Sequence, residues 1–168
     1  MQPTLTINSS RGAFRPAPGE IRFNEIHGGP DELLAWLEKR LGLGGIPVRV
    51  EERILQLAAQ LERHPGYLFS SSLALDQWAT ASYLLGLVDE LFLSGWTPGV
   101  TAELPPLVRD LGAALADFSR FDEAWRIDQV SAALQAGQTL PDFKLYITDP
   151  IEWWPPTWRP LLKDLGAE

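Results

Sequence analysis

The sequence predicts a mixed α/β fold that is predominantly helical, and two observations support this prediction. Apolar residues recur at intervals of three and four positions along several segments, which is typical of amphipathic helices. Two short stretches rich in β-branched and aromatic residues, 21–26 and 143–148, are separated by a long and mostly helical pattern. Strands so distant in sequence do not form a hairpin, so we expect the two to lie side by side in parallel.

The composition is that of one folded domain. The chain has 168 residues, of which 45% are hydrophobic, so residues 1–168 suffice for a single core. It contains no Cys, which excludes disulfides, iron–sulfur clusters and thiol catalysis. Its formal net charge of −8 disfavours autonomous binding to nucleic acid. Because neither a signal-peptide pattern nor a long apolar run is present, we expect a cytoplasmic protein without a membrane partner.

The first thirty residues contain short extended segments. Leu5 and Ile7 alternate with polar residues and predict an extended arm or an edge strand. Residues 21–26 predict the first regular strand, which the two glycines and the proline of 28–30 should end. A strand, a glycine turn and a helix are therefore expected in succession.

The helix after this turn has clear start and stop signals. Pro30 suits the first position of a helix, and Asp31 and Glu32 follow in the first turn, where the helix dipole favours carboxylates. Gly42 predicts its C-terminal end. The apolar stripe of this helix consists of Leu33, Leu34, Leu37 and Leu41.

The remaining elements follow from similar signals. The strand at 143–148 is halted by Asp149–Pro150, and Pro155–Pro156 open a last helix. Four helical patterns precede that strand, at about 49–63, at about 76–94, from Pro105 to Phe118, and from Phe121 to near Gly137.

The chain is therefore expected to contain three segments within one domain. Residues 1–46 form a strand–turn–helix unit, and residues 138–168 form a second strand–helix unit. Residues 47–137 are predicted to be a helical bundle inserted between them.

The turn His27–Gly28–Gly29–Pro30 lies between a strand and a helix, where phosphate loops bind anions. A loop of the G-x-x-x-x-G-K-[ST] type needs a Lys to neutralise the phosphates and a hydroxyl to hold magnesium. This turn has neither, and Pro30 lacks an N–H group. A structural turn is favoured over a functional nucleotide site.

Asp149 directly follows the second strand, a position where an acidic residue can ligate magnesium in nucleotide hydrolases. An Asp before a proline is also a common turn former or helix cap. The second interpretation is favoured because no other magnesium ligand accompanies Asp149.

No other group of residues indicates catalysis. His27 and His64 stand apart, and neither has a second ligand at helical spacing, so no metal site is expected. Ser70–Ser71–Ser72 lacks the G-x-S-x-G setting of a nucleophile and is expected to be a loop or a helix cap. We therefore expect no catalytic residue, no metal and no cofactor.

An aromatic cluster marks the C-terminal segment. Trp153, Trp154 and Trp158 lie beside three prolines, and Tyr146 belongs to the strand before them. Such side chains can stack on bases or bind a partner, although aromatic residues near a helix start most often pack in a core. Because two strands leave a sheet incompletely covered, we expect these four residues to line an exposed interface.

Three blocks of the sequence share the pattern of a known family. They are GGPDELLAWLEKRLGL, LALDQWATASYLLGLVDELFLSGW and LYITDPIEWWPPTWRPLLKDL. Together, over about residues 20–165, they resemble the N-terminal region of AddB-type proteins, the bacterial RecB-like helicase/exonuclease subunits with a C-terminal PD-(D/E)XK nuclease domain. The resemblance implies a partial RecA-like sheet of the P-loop type, with the middle block in the inserted helical bundle.

The resemblance also assigns positions within this sequence. It places the turn at 27–30 at the family's phosphate loop and Asp149 at its acidic strand end. The chain departs from the family in lacking the loop's Lys and hydroxyl, the nuclease motif and the iron–sulfur cysteines. The resemblance therefore implies a non-catalytic N-terminal domain in DNA double-strand-break repair. It also implies that the partner is the remainder of a helicase/nuclease polypeptide or a helicase subunit, with DNA contacted through that complex.

Two other functions stay open at this point. The chain could be a free-standing helical adaptor that binds protein through its Trp-rich end. A small nucleotide-binding enzyme is a more distant alternative, because the residues for phosphate and magnesium are missing.

Overall fold

The computed structural model of the protein describes residues 2–9, 24–44, 48–99, 103–118 and 122–167. Within these residues it contains three short strands and seven α-helices, which confirms a mixed α/β chain that is mostly helical. The strands are β1 (Thr4–Ile7), β2 (Glu25–Gly28) and β3 (Lys144–Ile147). The helices are α1 (Pro30–Leu41), α2 (Val50–Glu62), α3 (Ser70–Leu75), α4 (Gln77–Leu93), α5 (Pro106–Ala114), α6 (Glu123–Gln135) and α7 (Trp158–Asp164), with a 3₁₀ turn at Ile151–Trp153.

The three strands form one parallel sheet in the order β2-β1-β3. The predicted parallel direction is confirmed, but the predicted direct pairing of the two later strands is wrong because β1 lies between them. The prediction of an edge strand at Leu5 and Ile7 is also wrong, since β1 is central. Both side chains are fully buried, which explains why the hydrophobic effect draws this strand to the middle of the sheet.

The second strand is displaced from its predicted position. Residues 21–23 of the predicted strand 21–26 lie outside the described residues, and β2 spans Glu25–Gly28. Gly28, predicted to break the strand, is its last residue. A Cβ on Gly28 would lie 2.7 Å from Cβ and Cγ of Glu32, so glycine permits the close approach of β2 to the start of α1.

The helical predictions are largely confirmed. Helix α1 begins at Pro30 and ends before Gly42, whose φ of 66° is the left-handed conformation that glycine adopts readily. Helices α2 and α4 match their predicted ranges to within about two residues. Helix α5 ends at Ala114, earlier than predicted, and Ser70–Ser71–Ser72 opens the short helix α3. Phe121, the predicted start of the fifth helix, lies outside the described residues.

The contacts divide the chain into two compact units. The sheet unit comprises residues 1–45 and 123–168, and the helical unit comprises residues 46–122. The inserted segment thus ends at 122 and not at the predicted 137, because α6 packs against α1. Arg126 of α6 donates to both carboxylate oxygens of Glu38 on α1, each at 2.8 Å, which fixes this packing.

Candidate functional site

The turn that the sequence placed at a phosphate-loop position is very short. Strand β2 ends at Gly28 and α1 begins at Pro30, so Gly29 is the one residue between them. A loop that wraps a phosphate needs several consecutive backbone N–H groups, and this turn does not provide them.

The anion position at the start of α1 is occupied by the protein itself. The backbone N–H of Gly29 donates a hydrogen bond of 2.8 Å to the Oε2 atom of Glu32. The Glu32 carboxylate thus lies at the positive end of the helix dipole, where a phosphate group would otherwise bind. A bound phosphate would have to displace this carboxylate or lie against its negative charge.

His27 faces an acidic neighbour. Its Nε2 atom lies 3.1 Å from Oε2 of Glu25, two residues earlier on the same strand. The structure therefore places His27 and Gly28 at the end of β2 and Gly29 and Pro30 at the start of α1, with one carboxylate on each side. A phosphate group at this position would meet two carboxylates, which disfavours its binding.

Asp149 connects the ends of two neighbouring strands. Its Oδ2 atom accepts hydrogen bonds from the backbone N–H of Ser9, at 2.7 Å, and from the Ser9 hydroxyl, at 2.8 Å. Ser9 follows β1 and Asp149 follows β3, so the contact joins the carboxyl ends of the two strands. These two hydrogen bonds, the backbone one first, lower the pKa of Asp149 below its ordinary value.

The lowered pKa of Asp149 predicts a contribution to acid stability. The folded-state pKa lies below the unfolded one, so the contribution is complete above the unfolded pKa and is lost as the pH falls through the folded pKa. We expect Asp149→Asn to reduce the difference in unfolding temperature between about pH 5 and about pH 2. Circular dichroism melting curves measure this difference. Asp142 is exposed, so Asp142→Asn is the control and should keep the wild-type difference in unfolding temperature. An equal reduction of this difference in both variants would contradict the stabilising role of Asp149.

The four aromatic residues predicted to form an interface differ in their exposure to solvent. Trp154 and Trp158 are fully buried, with 0% exposure, so their prediction as exposed interface residues is wrong. Their rings pack edge to face at 5.4 Å, and Nε1 of Trp158 donates a hydrogen bond of 2.7 Å to Oε1 of Glu123. Trp158 belongs to α7, which packs against α6, and Trp154 follows the 3₁₀ turn, which also packs against α7. Tyr146 and Trp153 are exposed, at 38% and 71%.

The sequence patterns did not reveal the contacts of two residues, Glu32 in the first turn of α1 and Ser9 after β1. Glu32 was assigned only to the helix dipole, although its position at the third residue of a helix is a known signal for a bond back to the turn. Ser9 offered no such signal, because its partner Asp149 is 140 positions away. Only the pairing of β1 with β3 brings these two side chains together.

The other candidate groups remain without a catalytic arrangement. The hydroxyl of Ser70 donates to the backbone carbonyl of His64 at 3.3 Å, which is a helix-start contact and not a nucleophile–base pair. Across the described parts of the chain, no three His, Asp or Glu side chains group as a metal site would require. No described helix has both the length and the apolar character needed to cross a lipid bilayer.

Comparison with protein-family models, with curated proteins and with solved structures finds no match.

Proposed function

We propose that this chain is a non-catalytic domain of a bacterial DNA double-strand-break repair helicase/nuclease of the AddB type, with a structural or partner-contacting role. One observation carries the non-catalytic part of the proposal. The Glu32 carboxylate accepts the Gly29 N–H at the place where a nucleotide-binding relative needs its phosphates. A domain with this turn supports an assembly and leaves ATP hydrolysis to other domains.

The fold part of the proposal is a partial RecA-like sheet with the helical unit as its insertion. It is supported by three parallel strands and by Asp149 at the end of β3, beside the end of the central strand. The direct pairing of β2 with β3 that the sequence predicted is absent, so this support comes from strand direction and from the position of Asp149. The helical unit is inserted in sequence between the two parts of the sheet unit.

Charge favours a protein partner for the helical unit. Residues 46–122 contain ten Asp and Glu residues against five Arg residues and no Lys, which is a formal charge of −5. Such a surface repels a phosphate backbone. The remainder of a helicase/nuclease polypeptide, or a helicase subunit, is therefore the proposed partner, and DNA is contacted through the complex.

The repair role is tested by cell survival. Removing the coding segment for residues 1–168 from the host organism should increase killing by agents that break both DNA strands, and returning the segment should restore survival. A returned segment with Glu32→Ala should restore survival as fully as the wild-type segment does, because the turn has no catalytic role. Unchanged survival without the segment would show that the chain has another role.

Nucleotide binding provides a separate prediction. Isothermal titration calorimetry of the full chain with ATP and magnesium should show no binding at millimolar nucleotide, because the turn has no Lys, no hydroxyl and an internal carboxylate. Glu32→Ala should also show none, since the Lys is still missing. Binding in the micromolar range would overturn the non-catalytic assignment and support a nucleotide-binding enzyme.

A free-standing adaptor is the second candidate function. It is favoured by exposed apolar side chains on the helical unit, Leu68 and Tyr83 among them. The survival experiment separates the two candidates, because an unrelated adaptor should leave the repair of double-strand breaks intact.

A further inference from the structure

The helical unit has an open apolar groove between α3, α4 and α5, which we call the α3–α4 groove. Its volume is about 520 Å³. The groove is lined by Leu68, Phe69, Ser72, Ala79, Thr80, Tyr83, Leu84 and Leu107. None of these side chains is charged, so an occupant would be held mainly by apolar contact.

The groove leaves large apolar side chains exposed to solvent. Tyr83 is 71% exposed and Leu68 is 58% exposed, although both are large side chains. Helix α4 has no charged residue from Gln77 to Val88, and Trp78 on its exposed side is 48% exposed as well. Helices that are apolar on all sides are usually covered by other elements. We therefore expect this face to be covered in a complex.

Two hydrogen bonds connect backbone groups of groove-lining residues to neighbouring side chains of the helical unit. The backbone N–H of Leu68 donates to Oδ2 of Asp110 at 3.0 Å, which attaches one wall to α5. Asp76 caps the start of α4 by accepting the N–H of Ala79 at 2.9 Å. A groove that is fixed before binding loses little conformational entropy when a partner binds.

Carboxylates lie around this apolar groove. Asp76 and Asp110 bond to backbone groups of groove-lining residues, and Glu62 accepts a hydrogen bond of 2.6 Å from Gln77, next to Asp76. Arg109 lies 3.7 Å from Asp110 and offsets one of these charges. The net charge of these four side chains, which form the rim of the groove, is negative, as is the net charge of the whole helical unit. An occupant with positive charges beside its apolar surface is complementary to this rim.

We propose that the α3–α4 groove binds an amphipathic helix of a partner protein, with Lys or Arg flanking the apolar stripe of that helix. A second copy of this chain fits less well, because a symmetric contact would bring the acidic rims together. Nucleic acid is disfavoured by the same carboxylates, and a small molecule by the openness of the groove and the absence of a charged side chain from its lining. The proposal stands on the groove itself and does not depend on a role in DNA repair.

Labelled peptides test the proposal on the full chain. One peptide carries Leu at i, i+3, i+4 and i+7 spacing with flanking Lys, and a second has the same Leu positions with flanking Glu. Fluorescence anisotropy should show that the Lys peptide binds about tenfold more tightly than the Glu peptide, or better. Added salt should reduce the difference. Absence of binding, or equal binding of the two peptides, overturns the proposal.

A matched pair of variants locates the binding site. Leu68→Ser and Leu55→Ser remove the same side chain from residues with the same exposure, 58%, and only Leu68 lines the groove. Leu68→Ser should weaken the binding of the Lys peptide by about tenfold, while Leu55→Ser should leave its binding unchanged. Tyr83→Ser, at a second groove position, should act like Leu68→Ser. Equal effects at Leu55 and Leu68 would contradict the assigned site.

Two further measurements identify a different occupant. Sedimentation velocity that shows self-association, lost in Leu68→Ser, would make the occupant a second copy. A single-stranded oligonucleotide that displaces the Lys peptide would make it nucleic acid. Either result overturns the proposal of a basic partner helix, whereas a monomer that ignores the oligonucleotide supports it.

Discussion

Replacing Trp158 with Ala should lower the free energy of unfolding by about 3–5 kcal/mol, the usual range for removing a fully buried Trp. The side chain has 0% exposure and packs edge to face on Trp154 at 5.4 Å. Its indole N–H also donates to Glu123 at 2.7 Å, so the variant loses packing and a hydrogen bond together. Urea denaturation followed by circular dichroism measures the change.

The neighbouring Trp153 provides the matched control. It is 71% exposed, so Trp153→Ala should change the free energy of unfolding by no more than about 0.5 kcal/mol. Similar losses in the two variants would mean that the burial of Trp158 is not what stabilises the sheet unit. A stable Trp158→Ala variant that binds its partner poorly would instead support the interface role that the sequence predicted for this side chain.

Gly112→Ala should destabilise the helical unit by about 1–3 kcal/mol, the usual cost of an added methyl group in a filled space. A Cβ at this position in α5 would lie 2.6 Å from the backbone oxygen of Gly99 and 3.3 Å from the ring of Trp96. Neither neighbour is a flexible side-chain end, so the segment crossing α5 would have to move. The same denaturation experiment measures the loss.

Gly86→Ala is the control for this substitution. Gly86 lies within α4, and a Cβ there meets nothing within 4 Å. Because Ala is the better helix former, Gly86→Ala should stabilise the chain by about 0.5–1 kcal/mol. The same chemical change is thus expected to have opposite signs at the two sites. Destabilisation by both would contradict the prediction, because the open space beside Gly86 would then not set the sign of the effect.

Local signals in the sequence determined most of the helices. Pro30 and Gly42 mark the ends of α1 because their backbone preferences act without help from distant residues. The repeat of apolar positions likewise predicted α2 and α4. The sequence also shows directly that the turn at 27–30 has no Lys and no hydroxyl, which predicts a non-catalytic turn.

Only the tertiary structure decided which residues are buried and which side chains meet. Strand β1 is too short for its alternation to distinguish an edge from the centre of a sheet, and its place depends on pairing with β2 and β3. Trp153 and Trp154 are adjacent in sequence, yet one is exposed and the other is buried, because α7 and its preceding turn orient them differently. Such burial depends on elements that are distant in the chain, and local sequence patterns do not contain it.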